Sequence, residues 1–218
     1  MTTGTPGTPG AAPIPGSGDE AIRLAEERAA ATRERNLPQF TDMPVPGDTA
    51  NLREGANLND ALLAVLPLVG VWRGEGEIVY PTIEGPFRFG QQITFAHDGR
   101  PFLVYEARSW LLNEAGEVIR PAAREQGFWR PQPDDTIELL LTHNTGIVEL
   151  YYGKVRTQTS WEFETDAIIR TATAKEVKAA QRLYGIVNNG DLAYVEERAM
   201  VGQEMQPHAS AHLQRIVG

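Results

Sequence analysis

The chain has 218 residues, 41% hydrophobic and 22% charged, with a formal net charge of −9 and no cysteine. That length and composition suit one soluble domain with a sizeable core. The missing cysteine excludes disulfides, thiolate metal ligands, cysteine-anchored prosthetic groups and cysteine nucleophiles. The negative charge argues against nucleic acid or an anionic membrane as the main partner. Residues 1–18 hold no basic and apolar leader pattern. No run approaches the ~18 apolar residues of a membrane-spanning helix. The expectation is a cytoplasmic protein.

Residues 1–18 are Thr, Gly, Pro and Ala almost throughout. They cannot bury enough apolar surface to offset chain entropy, which predicts disorder. Asp19 suits the cap of a helix running to about Asn36, with acidic residues leading and arginines ending it. Pro38, Pro44, Pro46 and Gly47 break the stretch 37–57, which reads as an extended connection. Residues 1–57 thus read as an extension and 58–218 as the folded domain. Within 58–69 the sequence predicts a short apolar helix capped by Asn59 or Asp60 and stopped by Pro67. Such a helix could plug the end of a barrel or simply cover core.

Gly70 to Ile83 opens a β-domain. Trp72, Gly74, Gly76, Ile78 and Tyr80 share one face at period two, and Arg73, Glu75 and Glu77 take the other. Two glycines on the inner face point to a close approach by a ligand, another strand or a bend. From here on, short β-like runs alternate with turn signals. Asp98-Gly99 separates Phe87–Phe95 from Phe102–Trp110, and Asn113–Gly116 makes the next turn. Pro131–Asp135, Asn144-Thr145-Gly146 and Asn188–Asp191 punctuate the rest. The pattern predicts an all-β, up-and-down antiparallel barrel of about ten strands, lipocalin-like, with a β-sandwich as the alternative. Residues 174–182 have helical propensity and are expected to interrupt it.

No dinucleotide fingerprint, phosphate-binding loop or nucleophile elbow occurs. Histidine is then the leading candidate for a transition-metal ligand. His97 precedes the Asp98-Gly99 turn and reads as a surface hairpin residue. His143 precedes another turn and reads as a barrel-rim residue. His208 and His212 lie in the last run. On a regular strand they point to the same face ~13 Å apart, too far to share one ion.

The opening motif Gly70-x-Trp72-x-Gly74-x-Gly76, followed by Tyr80-Pro81-Thr82-Ile83, resembles that of the nitrobindin family. Residues 87–103, 144–149 and 173–177 are also similar to segments of that family. So is the end of the chain, where His208, Leu213 and Arg215 match a His-x-x-x-x-Leu-x-Arg pattern. Two departures are Ala209, where leucine is usual, and Gly90-Gln91-Gln92, where acidic residues are more usual. The resemblance covers about residues 60–216. It implies a fatty-acid-binding-protein-like barrel holding ferric haem b, with His208 as the proximal axial ligand to iron and no catalytic residue beyond that iron. It also implies nitric oxide binding and isomerisation of peroxynitrite to nitrate. Tyr80, Thr82 and Ile83 match the family's pocket motif, with Thr82 as the candidate polar contact. Lys175 or Lys178 is the candidate partner for a propionate. The alternative is a haem-free carrier of a small apolar ligand on the same fold.

Overall fold

The computed structural model describes residues 19–33 and 43–218. The chain forms two units, residues 1–44 and 45–218. In the first, helix α1 spans Asp19–Ala31. An Arg23–Glu27 pair one turn apart supports it, and the Thr32 hydroxyl bonds back to the Arg28 carbonyl at 2.8 Å where it ends. The helix is shorter than expected; residues 34–36 lie outside the described residues, as does the tail 1–18.

In the second unit, Thr49 forms an isolated β-bridge with His97, each backbone N–H meeting the other's carbonyl at 2.8 and 2.9 Å. Residues 45–57 thus lie in the second unit. The expected short helix is a 3-10 helix, Asp60–Leu68, capped by the Asn59 side chain on the Ala61 N–H. Pro67 does not stop it but lies inside, one residue before its end. Proline has no N–H to give to the residue three back. The Ala64 carbonyl instead accepts the Trp161 indole N–H at 2.9 Å.

Ten strands follow: β1 Gly70–Ile78, β2 Phe87–Ala96, β3 Leu103–Leu112, β4 Val118–Pro131, β5 Thr136–His143, β6 Ile147–Thr157, β7 Ser160–Arg170, β8 Val177–Ile186, β9 Leu192–Met200 and β10 Gln206–Val217. Each pairs antiparallel with the next, and β1 also pairs with β10, so the sheet closes into a barrel and not a sandwich. Residues 177–182, expected to be helical, lie in β8, because pairing with β9 overrides local propensity. Between β7 and β8 the ladder covers only Ser160–Glu164 against Gly185–Gln181. Beyond it, the Thr165 hydroxyl accepts the Ala180 N–H.

The inner-face glycines serve a close strand approach. A Cβ on Gly74 would lie 2.1 Å from the His212 carbonyl oxygen, and one on Gly76 2.2 Å from that of Ser210, both on β10. Trp72, on the same face, is fully buried. Its indole N–H donates to the Leu68 carbonyl at the end of the 3-10 helix. Leu62, Val65 and Leu68 of that helix are fully buried too, so the helix plugs this end of the barrel. Below it lies an aromatic floor. Trp129 packs edge-on against Phe163, Tyr184 and Phe95 with centroids 4.5, 5.2 and 5.3 Å away. Each such pair is worth about 0.5–1.5 kcal/mol beyond its burial.

Candidate functional site

The opposite end of the barrel carries the chemistry. There β1 runs out at Ile78, and Tyr80 turns inward to join a second apolar cluster with Ile147, Ala174, Val177 and Met200; Ile83 and Ile168 pack against it. Tyr80 is pinned by three hydrogen bonds. Its hydroxyl donates toward the Arg198 and Met200 carbonyls at 3.1 Å and accepts the Met200 N–H at 2.9 Å. The His208 ring meets the Tyr80 ring edge-on at 5.6 Å.

His208 reaches this cluster because β10 is not regular. Pro207 pairs with Glu197 of β9 and Ala209 with Glu196, so His208 is an extra residue, a β-bulge. The bulge shifts the strand's phase by one. Ala211 and Leu213 face inward after it, and so does His208 at it, whereas His212 lies outside with its Nε2 2.8 Å from Asp191. The expectation that both histidines share a face is therefore wrong. It assumed an unbroken two-residue period.

His208 is set by a carboxylate. Its Nδ1 lies 2.9 Å from Glu196 Oε2, while Glu196 Oε1 takes Arg182 at 2.8 Å and Arg198 at 3.0 Å. Burial opposes the charge on Glu196. The two guanidiniums and the His208 hydrogen bond overcome it and hold the carboxyl well below the usual carboxylate range. An ionised carboxylate only accepts, so Nδ1 carries the proton and Nε2 is the ring nitrogen left to ligate a metal. Among the described residues Nε2 has no hydrogen-bond partner.

Behind Glu196 lies a buried layer of charge across the barrel. Arg182 grips Glu125 with two bonds of 2.9 Å. Arg198 lies 2.9 Å from Glu149. Glu149 also accepts from Tyr151 at 2.7 Å and lies 2.8 Å from His143 Nε2. Despite the cost of burial, His143, Arg198 and Arg182 draw the Glu149 carboxyl down to about 2. Gln91, at one of the positions that depart from the family pattern, is buried here and accepts from the Tyr194 hydroxyl at 2.9 Å.

Two histidines depart from their expected places. His143 does end β5 at the rim, but its side chain points into this charged layer. His97 is no surface residue. It is fully buried, and neither ring nitrogen has a hydrogen-bond partner. The Thr49 bridge covers it, which the local turn signal did not reveal.

Of the residues singled out in the sequence, Tyr80, Ile83 and His208 come together. Thr82 is exposed in the loop that carries Tyr80 and Ile83. Lys175 is exposed next to Ala174 of the apolar cluster, and Lys178 is exposed at a bulge of β8 just after the buried Val177. Arg215 stacks on Trp72 at 4.1 Å and bonds the Val69 and Pro67 carbonyls at the far end, so it closes the barrel. Two surface depressions, of about 570 and 760 Å³, lie on the outer wall of β6–β9 and beside the 3-10 helix; neither includes His208.

A single histidine with a free Nε2, a carboxylate on its other nitrogen and apolar walls fits an axial ligand of haem. It does not fit a bare ion: among the described residues no group of three or more His, Asp or Glu is placed to hold one. The comparisons agree. A family profile described as "THAP4-like, heme-binding beta-barrel domain" matches residues 61–215.

The chain belongs to this family.

Its nitrobindin members include a "Ferric nitrobindin-like protein" of Saccharopolyspora erythraea, 59% identical over 94% of this chain and 97% of that one. A "Peroxynitrite isomerase 2" of Mycolicibacterium vanbaalenii is 55% identical over 93% of this chain and 99% of its own. The crystal structure of Rv2717c from M. tuberculosis superposes with a TM-score of 0.65 and 36% identity, covering 73% of this chain and 99% of that one. Haem is thus the cofactor of this nitrobindin barrel. No helix among the described residues is long and apolar enough to cross a membrane.

Proposed function

We propose that this nitrobindin is a ferric haem b protein that binds nitric oxide and isomerises peroxynitrite to nitrate, with His208 as its proximal ligand. The observation that carries the assignment is the state of the His208 ring: Nδ1 is tied to an ionised glutamate and Nε2 is left free. The relatives named peroxynitrite isomerase support the reaction.

Ferric haem, when bound, would supply the iron chemistry that converts peroxynitrite to nitrate. The residues of the chain provide placement. His208 holds one side of the group, and Glu196 fixes its ring. Tyr80, Ile147, Val177 and Met200 supply apolar walls that keep bulk water from the face they cover. Thr82 offers a hydroxyl at the same end. Lys175 beside Ala174 and Lys178 beside Val177 are the cations at this end that would meet a propionate. A carrier of an apolar ligand is the weaker reading, because ion pairs cross the middle of the barrel where a lipid chain would need apolar space.

The test is reconstitution with ferric haem. The wild type should give a Soret band and speed the decay of peroxynitrite to nitrate. His208→Ala should lose both, and His212→Ala, on the outer face, should keep both. Equal haem uptake and activity in His208→Ala would refute the assignment.

A further inference from the structure

The division of labour on Glu196 is asymmetric. Its Oε1 takes both arginines, and its Oε2 is left to His208 alone. The carboxylate is buried, so bulk water does not compete for Oε2. Its orientation is held from both sides. Arg182 is anchored by Glu125 of β4 and Arg198 by Glu149 of β6, so Glu196 cannot swing without breaking pairs on two other strands. A structural glutamate needs only its arginines; the bond to His208 adds nothing to that pairing.

We propose that Glu196 is a positioning residue for the haem ligand: it fixes the His208 ring and, by accepting the Nδ1 proton's hydrogen bond, strengthens Nε2 as a donor and stabilises ferric over ferrous iron. A carboxylate on Nδ1 pushes electron density onto Nε2, and a stronger, more anionic donor favours the more highly charged metal. The proposal rests on His208 being the axial ligand.

Glu196→Gln keeps the shape of the side chain and removes its charge. Glu125→Gln removes a charge from the same buried layer, and a partner of the same Arg182, without touching His208. The haem-loaded wild type, Glu196→Gln and Glu125→Gln are compared by spectroelectrochemical titration and by resonance Raman of the ferrous form. Glu196→Gln should raise the midpoint potential, lower the ferric-to-ferrous ratio roughly tenfold at a fixed ambient potential, and move the iron–histidine stretch to lower frequency. Glu125→Gln should leave that stretch in place. An unchanged stretch and potential in Glu196→Gln, or equal shifts in both variants, overturns the proposal.

Should Glu196→Gln fail to fold, two measurements still decide. Glu196→Asp retains the charge but draws the carboxylate back by a methylene, and should lower the stretch part of the way. In the wild-type ferric cyanide complex, proton NMR should show a hyperfine-shifted His208 Nδ1–H that exchanges slowly with water. A fast-exchanging Nδ1–H, or no change in Glu196→Asp, counts against it. A wild type that takes up no haem would instead overturn the reading of His208 as ligand, which separates the two failures.

Discussion

The two halves of this barrel are built from opposite materials. Toward the 3-10 helix, the interior is a floor of Trp72, Trp129, Trp161, Phe95 and Tyr184, held by dispersion and by indole N–H bonds to two helix carbonyls. Toward His208, the interior is a lattice of Glu125, Glu149, Glu196, Arg182 and Arg198. The first half is held by apolar packing, with the Arg215 cation stacked on Trp72 at its closure. The second carries desolvated ions that hold one another, an arrangement that adds little net stability but is costly to interrupt. The floor makes the barrel stable, and the lattice makes it specific about where one imidazole points.

The contrast predicts different failures. The largest is expected from Trp129→Ala, which removes the ring that Phe95, Phe163 and Tyr184 pack against. Urea denaturation should show a loss of about 4 kcal/mol, unchanged between pH 7 and pH 5.

The lattice should fail in acid instead. The Glu149 carboxyl sits at about 2 when folded, against an ordinary value of 4.5. Its contribution is therefore fully present above pH 4.5 and is lost as pH falls from there toward 2, on the order of 3 kcal/mol in all. Glu125 and Glu196 are shifted in the same direction. Stability measured against pH should drop through this window, and Glu149→Gln should flatten the drop.

A smaller effect falls on the closure of the floor. Arg215→Ala loses two hydrogen bonds to carbonyls and a cation over Trp72. The expected cost is about 2 kcal/mol, read by thermal melts.

The smallest is His97, a buried imidazole at the apolar end. Burial lowers its pKa below 6.5, against the pull of Asp98 and Asp48. The unfolded chain therefore binds the proton first. Stability from this group is present above pH 6.5 and declines as pH falls below it. His97→Phe should remove that slope from a plot of stability against pH. A slope that survives the substitution would assign it to another histidine.

Much of this plan was legible in the chain. The turn signals at Asp98-Gly99, Asn144–Gly146 and Asn188–Asp191 separate strands where expected, and the period-two face of Trp72 is buried as its pattern requires. The turn signals alone do not mark β7. Residues 177–182 misled, because their helical propensity is local and their pairing is not. The lattice was also missed, although its signal was present. Glu196 and Arg198 continue the inward phase of Leu192 and Tyr194, Arg182 that of Tyr184, and Glu149 that of Ile147 and Tyr151. A charged residue in an apolar phase has to find partners across the barrel, and sequence spacing does not say which strand will supply them. The bulge had one local sign, Pro207, since proline inside a strand marks an edge or an irregularity.

That bulge makes the last strand a vernier with two settings. The scale beyond it, carrying Ala211, Leu213 and Arg215, keeps the cylinder shut; the scale before it aims one imidazole. A single residue is the whole offset between them. A descendant that lost Pro207 would keep its closure and its plug but set the histidine opposite Glu197, on the outer face with His212. Binding of the prosthetic group could thus be discarded in one genetic step, without rebuilding the container, and regained by the reverse step.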